Sequence, residues 1–213
     1  MKKKLIAALL LGAIVLPVLQ GCFPMVAAGV TTGVLATFDR RTLGAQAEDE
    51  TIEWKASARL GEKLGDKAHI NITSFNRKAL ITGEVASSEA KASAETIVSE
   101  IPNVQGVYNE LAVAPLSAYS TRSNDAFITS KIKSRSVDNG KFNPVHVKVV
   151  TEAGTAYLLG MVTEAEADAA IGVARTTAGV KKVVKLLEII TPEKARELDI
   201  TQKKSTPKET KAQ

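Results

Sequence analysis

The stretch HINITSFNRKALITGEVASSEAKASAETIV, residues 69–98, aligns without gaps with HVKVVTEAGTAYLLGMVTEAEADAAIGVAR, residues 146–175, and pairs Gly83 with Gly160. After a single deletion the similarity continues, with NVQGVYNELAV in the first copy and GVKKVVKLLEI in the second. Self-similarity at a fixed spacing indicates a repeated structural unit. We therefore interpret the chain as a duplicated module of about 65 residues, a size at which a domain can fold alone.

Within each copy the hydrophobic pattern predicts the same order of elements: helix, strand, strand, helix, strand. Asn124 is a suitable N-cap for the first helix of the second copy, and Thr163 with Glu166 has the spacing of a capping box before the second helix. The predicted ranges are a helix over 51–64 with strands over 70–73, 80–84 and 104–113, and a helix over 125–137 with strands over 145–150, 156–161 and 180–190.

This order predicts an α+β fold of two tandem αββαβ modules. In each module the second helix connects the second strand to the third, and crossovers of this kind are right-handed. Each module should therefore have a three-stranded mixed sheet that is covered on one face by two helices.

The details of the repeat resemble the BON domain, named for bacterial osmotic and nodulation proteins. The resemblance rests on the glycines Gly83 and Gly160 in the second strands, the alanine-rich helix after each, and the final strand GVYNELAV with its looser counterpart in the second copy. It covers nearly all of residues 48–190 and implies a structural role for the two glycines.

The chain begins with a secretory signal pattern. Lys2, Lys3 and Lys4 precede an apolar run that Pro17 and Gln20 interrupt. A membrane-spanning helix needs about 20 apolar residues, so we expect residues 1–21 to be removed rather than to span a membrane.

Cys22 is the single cysteine and directly follows this signal. The sequence Leu19 to Cys22 resembles the lipobox of bacterial lipoproteins, which implies that Cys22 is acylated and anchors the chain in a membrane. Phe23 after the cysteine implies, by the same resemblance, sorting to the outer membrane. The alternative is an ordinary cleaved signal with an incidental cysteine.

A lipobox followed by two such domains is similar to the family of division- and outer-membrane-stress-associated lipid-binding lipoproteins. The predicted organisation is a signal peptide over 1–21, a lipidated tether over 22–47, BON domains over 48–114 and 124–191, a linker over 115–123, and a polar, unstructured tail over 192–213.

The charge is distributed unequally between the two copies. The net charge of +5 includes the three lysines of the signal. Residues 48–114 hold seven Lys or Arg against eleven Asp or Glu, whereas residues 117–190 hold ten against seven. The two copies therefore suit different electrostatic partners.

Residue types suited to catalysis or metal binding do not cluster in this sequence. His69 and His146 are equivalent in the repeat, and neither has a cysteine or a second ligand close by in the sequence. We interpret them as strand-entry residues inherited by duplication, and we expect no catalytic residues, no metal site and no cofactor.

The first helix of the second copy carries the clearest binding signal. At 100° per residue, Ile128 and Ile132 point to one side and must cover the sheet. Phe127 and Val137 point away from that side, and Lys131 and Lys133 border the same exposed region. Apolar side chains interleaved with lysines are typical of a surface that contacts a lipid interface.

In the resembled family this helix contacts anionic phospholipids such as phosphatidylglycerol and cardiolipin. The residues that the resemblance assigns to this role are Phe127, Lys131, Ile132, Lys133 and Val137. The alternative is that Phe127 packs against the first module or the linker. In the first copy, Trp54 lies among acidic residues, and we expect it to be buried at an interface.

Two functions remain open from the sequence. The first is a non-enzymatic, periplasmic outer-membrane lipoprotein that binds anionic phospholipid and supports envelope integrity, with recruitment to the division site. The second is a protein-interaction adaptor for an envelope assembly machine or for cell-wall hydrolase regulation, with envelope proteins as partners. No nucleic-acid partner is expected, because the lysines of the tail alternate with acidic residues and aromatic residues are scarce.

Overall fold

The computed structural model of the chain describes residues 39–205, with side chains described as far as residue 201. The predicted signal peptide over 1–21, Cys22, Phe23 and residues 206–213 lie outside the described residues. No helix in the described part combines the length and the apolar composition that crossing a bilayer requires.

The first module begins with a helix that is longer than predicted. Helix α1, Leu43–Leu64, follows the N-cap Thr42, whose hydroxyl accepts a hydrogen bond from the Ala45 amide at 3.1 Å. The prediction began at residue 51 because residues 43–50 are mostly small or acidic. The later elements are strands β1 His69–Phe75 and β2 Lys78–Val85, helix α2 Ser88–Ser99, and strands β3 Gly106–Asn109 and β4 Ala112–Val113.

The second module also begins earlier than predicted. Helix α3, Tyr119–Asn139, has Ala118 rather than Asn124 at its N-cap, so part of the expected linker is helical. The predicted capping box of Thr163 and Glu166 is present. The later elements are strands β5 Val147–Glu152 and β6 Thr155–Val162, helix α4 Glu164–Arg175, strand β7 Lys182–Ile189 and helix α5 Pro192–Ser205.

Each module contains one mixed sheet. In the first, β1 pairs antiparallel with β2, and β2 pairs parallel with β3 and β4, which are two parts of one interrupted strand. In the second, β5 pairs antiparallel with β6, and β6 pairs parallel with β7. The predicted α+β fold of two αββαβ modules is therefore confirmed.

Alternate residues of the central strands face the helices and form one apolar core per module. Ala79 and Ile81 of β2 belong to a core that includes residues of both α1 and α2. Ala156 and Leu158 of β6 belong to a core that includes residues of both α3 and α4. The two helices of each module therefore cover the same face of its sheet.

The opposite faces of the two sheets pack against each other. Phe75 and Leu80 of the first module form one buried cluster with Tyr157 and Leu159 of the second, which we call the inter-sheet layer. The prediction of one covered face was incomplete, because each sheet is covered by helices on one face and by the other sheet on the second. The layers follow the order helices, sheet, sheet, helices.

Ion pairs join the modules around the inter-sheet layer. Lys148 Nζ lies 2.7 Å from Glu53 Oε1, and Lys78 Nζ lies 3.2 Å from Glu188 Oε2. Partly exposed pairs of this kind contribute about 0.2–1 kcal/mol each. The apolar layer therefore supplies most of the association, and the ion pairs help to fix how the sheets are aligned.

The segment 39–41 was expected to belong to the tether, but it is folded onto both modules. Arg40 Nη1 lies 2.7 Å from Glu166 Oε2 of the second module. Arg41 Nη1 lies 2.6 Å from Asp49 Oδ2 of the first. Two adjacent arginines therefore connect the modules, and the predicted tether over 22–47 is too long at its C-terminal end.

The tail over 192–213 was predicted to be unstructured, and this is wrong for residues up to 205, which belong to α5. Asp199 of this helix accepts a hydrogen bond from Arg40 Nε at 2.9 Å, and Ala195 is buried. The pattern failed here because the helix has few apolar residues and its partner Arg40 is distant in sequence.

The glycines of the repeat provide the first test of this fold. A Cβ atom at Gly160 would lie 2.3 Å from the backbone oxygen of His146, and one at Gly83 would lie 1.9 Å from that of His69. Gly160→Ala and Gly83→Ala should therefore each lower the free energy of unfolding by about 1–3 kcal/mol or more, measured by urea denaturation.

The control is Gly172→Ala. Gly172 lies on a helix surface with open space around it, so this change should be neutral or slightly stabilising. Equal effects at Gly160 and Gly172 would contradict the close strand contact.

The Arg40 contact predicts a pH dependence. Burial alone would raise the pKa of Glu166, but hydrogen bonds from Arg40 and Thr163 outweigh it and lower that pKa below its ordinary value. A lowered pKa stabilises the fold above the ordinary Glu range, and this contribution is lost as the pH falls through the lowered value. The stability difference between the wild type and Glu166→Gln should therefore be largest near neutral pH and shrink below about pH 4.

Urea denaturation across this pH range is the measurement. Glu164→Gln, an exposed neighbour in the same turn, is the control. A difference between wild type and Glu166→Gln that is constant from neutral pH to pH 3 would contradict the prediction.

Candidate functional site

Helix α3 is fixed to the second module by its apolar side. Ile128 and Ile132 are both 1% exposed and lie in the core of that module. The assignment of Ile132 to a lipid-contacting surface is therefore wrong, because its side chain covers the sheet. The opposite side of the helix faces solvent.

The outward side of α3 carries two exposed apolar residues. Phe127 is 62% exposed and Val137 is 68% exposed. They are separated by about 15 Å along the helix axis, at 1.5 Å per residue, and the exposed residues between them include Ser130 and Ser134. We call this surface, from Phe127 to Val137, the exposed face of α3. The ring of Phe127 is not buried against the first module or the linker.

Two lysines accompany these apolar residues in different ways. Lys131 Nζ lies 4.8 Å from the centroid of the Phe127 ring and donates a hydrogen bond to the carbonyl oxygen of Ala178 at 2.6 Å. Lys133 is exposed. The ammonium group of Lys131 therefore lies beside the aromatic ring, and Lys133 adds a second positive charge along the same helix.

The helix is also held by polar contacts with its own module. Arg135 donates to the Val173 carbonyl at 3.0 Å and to the Thr177 hydroxyl at 2.6 Å, where α4 ends. A cation at this position also suits the partial negative charge of a helix C-terminus. Arg135 thus has a structural role, and Arg122 near the start of α3 donates to the Ser117 hydroxyl at 3.1 Å, so Lys131 and Lys133 are the cations between Phe127 and Val137 that remain for a binding role.

A buried aspartate anchors α3 to the strand hairpin. Asp125 accepts hydrogen bonds from the amides of Ala153 and Gly154, at 2.9 and 2.8 Å, in the turn between β5 and β6. Asp49 makes the equivalent contacts in the first module, with the amides of Asn76 and Arg77. Sequence analysis missed both residues, although their equivalent positions in the repeat were a signal that could have identified them.

The charge balance of α3 follows from these contacts. The carboxylate of Asp125 is directed into the turn, so Asp138 is the acidic residue that the helix leaves exposed. Lys131 and Lys133 therefore outnumber the exposed acidic groups of this helix. The exposed face of α3 is apolar at both ends and positively charged overall.

The first module differs at the corresponding helix. Trp54 on α1 is 72% exposed, so the expectation that it is buried at an interface is wrong. Exposed acidic residues, Glu50 and Glu62, lie on the same helix. Arg59 and Lys63 on this helix are exposed as well, so the exposed charges of α1 balance, whereas the exposed face of α3 in the second module has an excess of positive charge.

The two equivalent histidines lie in different surroundings. His69 Nδ1 lies 3.0 Å from Glu84 Oε2 and 3.9 Å from Glu152 Oε1. His146 lies 3.9 Å from Glu166 and 3.8 Å from Asp199, both of which bind Arg40. Sequence analysis gave His69 no neighbouring ligand, because Glu84 joins it through strand pairing and Glu152 comes from the other module.

Comparison with known proteins adds a second line of evidence. The family model described as BON domain matches residues 48–115 and 124–191. Outer membrane lipoprotein DolP of Haemophilus influenzae is 36% identical over 185 residues, which cover 86% of this chain and 95% of that protein. The 21 kDa hemolysin of Actinobacillus pleuropneumoniae is 34% identical over 154 residues, which cover 71% of this chain and 79% of that protein.

Among solved structures, CdsD of the type III secretion system of Chlamydia trachomatis matches 69% of this chain and 96% of its own chain, at 12% identity. The TM-score of this match is 0.29, which is too low to support an argument.

The anchoring of α3 can be tested at Asp125. Asp125→Ala leaves two amides of the β5–β6 turn without their acceptor, so the free energy of unfolding should fall by about 2 kcal/mol or more. The measurement is urea denaturation followed by circular dichroism. Asp138→Ala, an exposed change on the same helix, should alter stability by less than about 0.5 kcal/mol. Similar small effects of both changes would contradict the anchoring role.

Proposed function

This chain belongs to the family of outer-membrane lipoproteins with two BON domains, lipid-anchored and facing the periplasm, and from this premise we propose that its second module binds anionic phospholipid. The binding surface is the exposed face of α3. The role is binding rather than catalysis, and through it the protein supports envelope integrity and is recruited to the division site.

The observation that carries this proposal is the exposure of Phe127 beside a lysine. An aromatic ring that is 62% exposed on a helix fixed by its opposite side is available to insert below lipid head groups. The ammonium groups of Lys131 and Lys133 are then within reach of lipid phosphates. Phosphatidylglycerol and cardiolipin, which carry negative head groups, match this charge.

The expected energies are modest. Full burial of a Phe side chain contributes about 2–3 kcal/mol, and each lysine near an anionic surface contributes about 1 kcal/mol. Such binding is weak for a free protein. A protein held at the membrane by acylated Cys22 has a high local concentration of lipid, so a weak contact is occupied much of the time.

The opposite outer layer favours a second candidate function, that of a protein-interaction adaptor. Trp54 lies on α1, which covers the sheet face directed away from the second module. Tryptophan is enriched in the energetically dominant positions of protein interfaces, and the exposed Glu50 and Glu62 of α1 offset the exposed Arg59 and Lys63, so this helix lacks the net positive charge of α3. The two functions are compatible, because a planar bilayer contacts one outer layer at a time. A bilayer that contacts α3 therefore leaves α1 accessible to a protein partner.

Vesicle co-sedimentation tests the lipid proposal. The soluble fragment 23–213 lacks the acylation site but keeps Arg40 and Arg41, and it is mixed with vesicles of phosphatidylcholine alone or with added phosphatidylglycerol or cardiolipin. We expect binding to the anionic vesicles. Phe127→Glu should weaken it by roughly 30-fold, because a loss of about 2 kcal/mol corresponds to that factor.

Trp54→Glu is the matched control, since it introduces the same charge at an exposed aromatic position of the first module. Binding of this variant should equal that of the wild type. Equal binding to zwitterionic and anionic vesicles, or an unchanged affinity of Phe127→Glu, would contradict the proposal and favour the adaptor function.

A further inference from the structure

Three side chains with metal-ligand atoms meet at the edge of the inter-sheet layer. His69 begins β1, Glu84 lies on β2, and Glu152 ends β5 of the other module. One ligand atom from each lies within 4.8 Å of the others. Glu84 and Glu152 are only 5% and 8% exposed, so this cluster differs from the acidic patches that are common on protein surfaces.

The two carboxylates lack a basic partner other than histidine. Among residues 39–201, no lysine or arginine forms an ion pair with Glu84 or Glu152, and the pairs found for them involve His69. Burying carboxylates without compensation is costly. Burial, together with the charges of Glu110 and Glu152, raises the pKa of Tyr157 to about 12, which is consistent with a negative potential in this part of the inter-sheet layer.

The second module offers an internal comparison. There the equivalent histidine, His146, also lies near two carboxylates, Glu166 and Asp199, but the guanidinium of Arg40 binds both of them. The same arrangement of one histidine and two carboxylates is thus neutralised by a cation of the protein. Among residues 39–201 no lysine or arginine has this position at His69, so a bound cation would supply the equivalent charge.

The spacing of these atoms fits a metal ion, although His69 Nδ1 and Glu84 Oε2 are also within hydrogen-bond distance. The ligand atoms of a tetrahedral zinc site lie roughly 3.4 Å apart, because each is about 2.0–2.2 Å from the metal. His69 Nδ1 lies 3.0 Å from a Glu84 oxygen and 3.9 Å from a Glu152 oxygen, values on either side of that spacing. An imidazole nitrogen with two carboxylates suits zinc and related transition ions, whereas Mg²⁺ and Ca²⁺ prefer oxygen ligands alone.

Neighbouring residues hold the two carboxylates in place. The Asn71 amide donates to Glu152 Oε2 at 2.9 Å. The backbone amide and hydroxyl of Ser117, in the connection between the modules, donate to Glu84 Oε2 at 3.2 and 3.0 Å. Metal sites in proteins are typically supported by such contacts to their ligands.

We propose that His69, Glu84 and Glu152 bind one divalent transition-metal ion of the zinc class, which joins the two modules. The ion takes ligands from both sheets, so its binding stabilises their packing as well as neutralising the buried carboxylates. This role is independent of the phospholipid surface, because the site lies on the inner faces of the sheets and α3 on an outer layer.

Calorimetric titration of the full chain tests the site. The chain is purified in detergent without a histidine tag, treated with a chelator, and titrated with ZnCl₂ or MgCl₂. We expect one zinc ion per chain, a higher thermal midpoint with zinc, and no binding of Mg²⁺ at the same concentration. Co²⁺ should give the visible absorption bands of a four-coordinate site.

Variants assign the ligands. His69→Gln and Glu152→Gln should each lower zinc affinity by at least about 100-fold, and Asn71→Ala by roughly 10–100-fold. His146→Gln, at the equivalent position of the repeat, should bind zinc as the wild type does. Circular dichroism checks that each variant is folded. If His69→Gln is unfolded, the zinc affinity of Glu152→Gln tests the site instead.

The proposal is overturned by a full chain that binds no zinc. It is equally overturned by zinc binding that persists at wild-type affinity in both His69→Gln and Glu152→Gln. Loss of zinc affinity in His146→Gln but not in His69→Gln would move the site to the second module and would also refute it.

Discussion

Packing of the two sheets against each other is the constraint on which the rest of the structure depends. Leu80 of one module and Leu159 of the other lie in a single buried cluster, although each belongs to a strand whose alternate residues already form a core with helices. Because the inner faces are used in this way, helices α1 to α4 lie on the outer faces of the sheets. The exposed face of α3 and the exposed Trp54 of α1 are both consequences of this packing.

Duplication followed by divergence explains why the two outer layers differ in chemistry. Asp49 and Asp125 retain the same role in anchoring a helix to a strand hairpin. Apart from this shared contact, the second module has Phe127 beside Lys131, whereas the first has Trp54 on a helix whose exposed residues carry both charges. A scaffold shared by the two copies thus presents two outer surfaces of different chemistry.

Local patterns predicted the fold well, because the repeat, the strand alternation and the capping box of Thr163 are encoded in neighbouring residues. They failed where a partner is distant in sequence. Arg40 contacts Glu166 and Asp199 across more than 100 residues, so no local signal indicated that segment 39–41 is folded or that α5 packs onto it. The helical angles of α3 correctly predicted that Phe127 is exposed. The same angles place Ile132 on the buried side, so its assignment to the lipid-contacting surface came only from the family resemblance.

The packing of the sheets is tested most directly by nuclear Overhauser effects in the full chain in detergent micelles. Methyl groups of Leu80 should show cross-peaks to methyl groups of Leu159 and to the ring of Tyr157, since these residues share the inter-sheet layer. The absence of all cross-peaks between the modules, with each module orienting independently in residual dipolar couplings, would contradict the account.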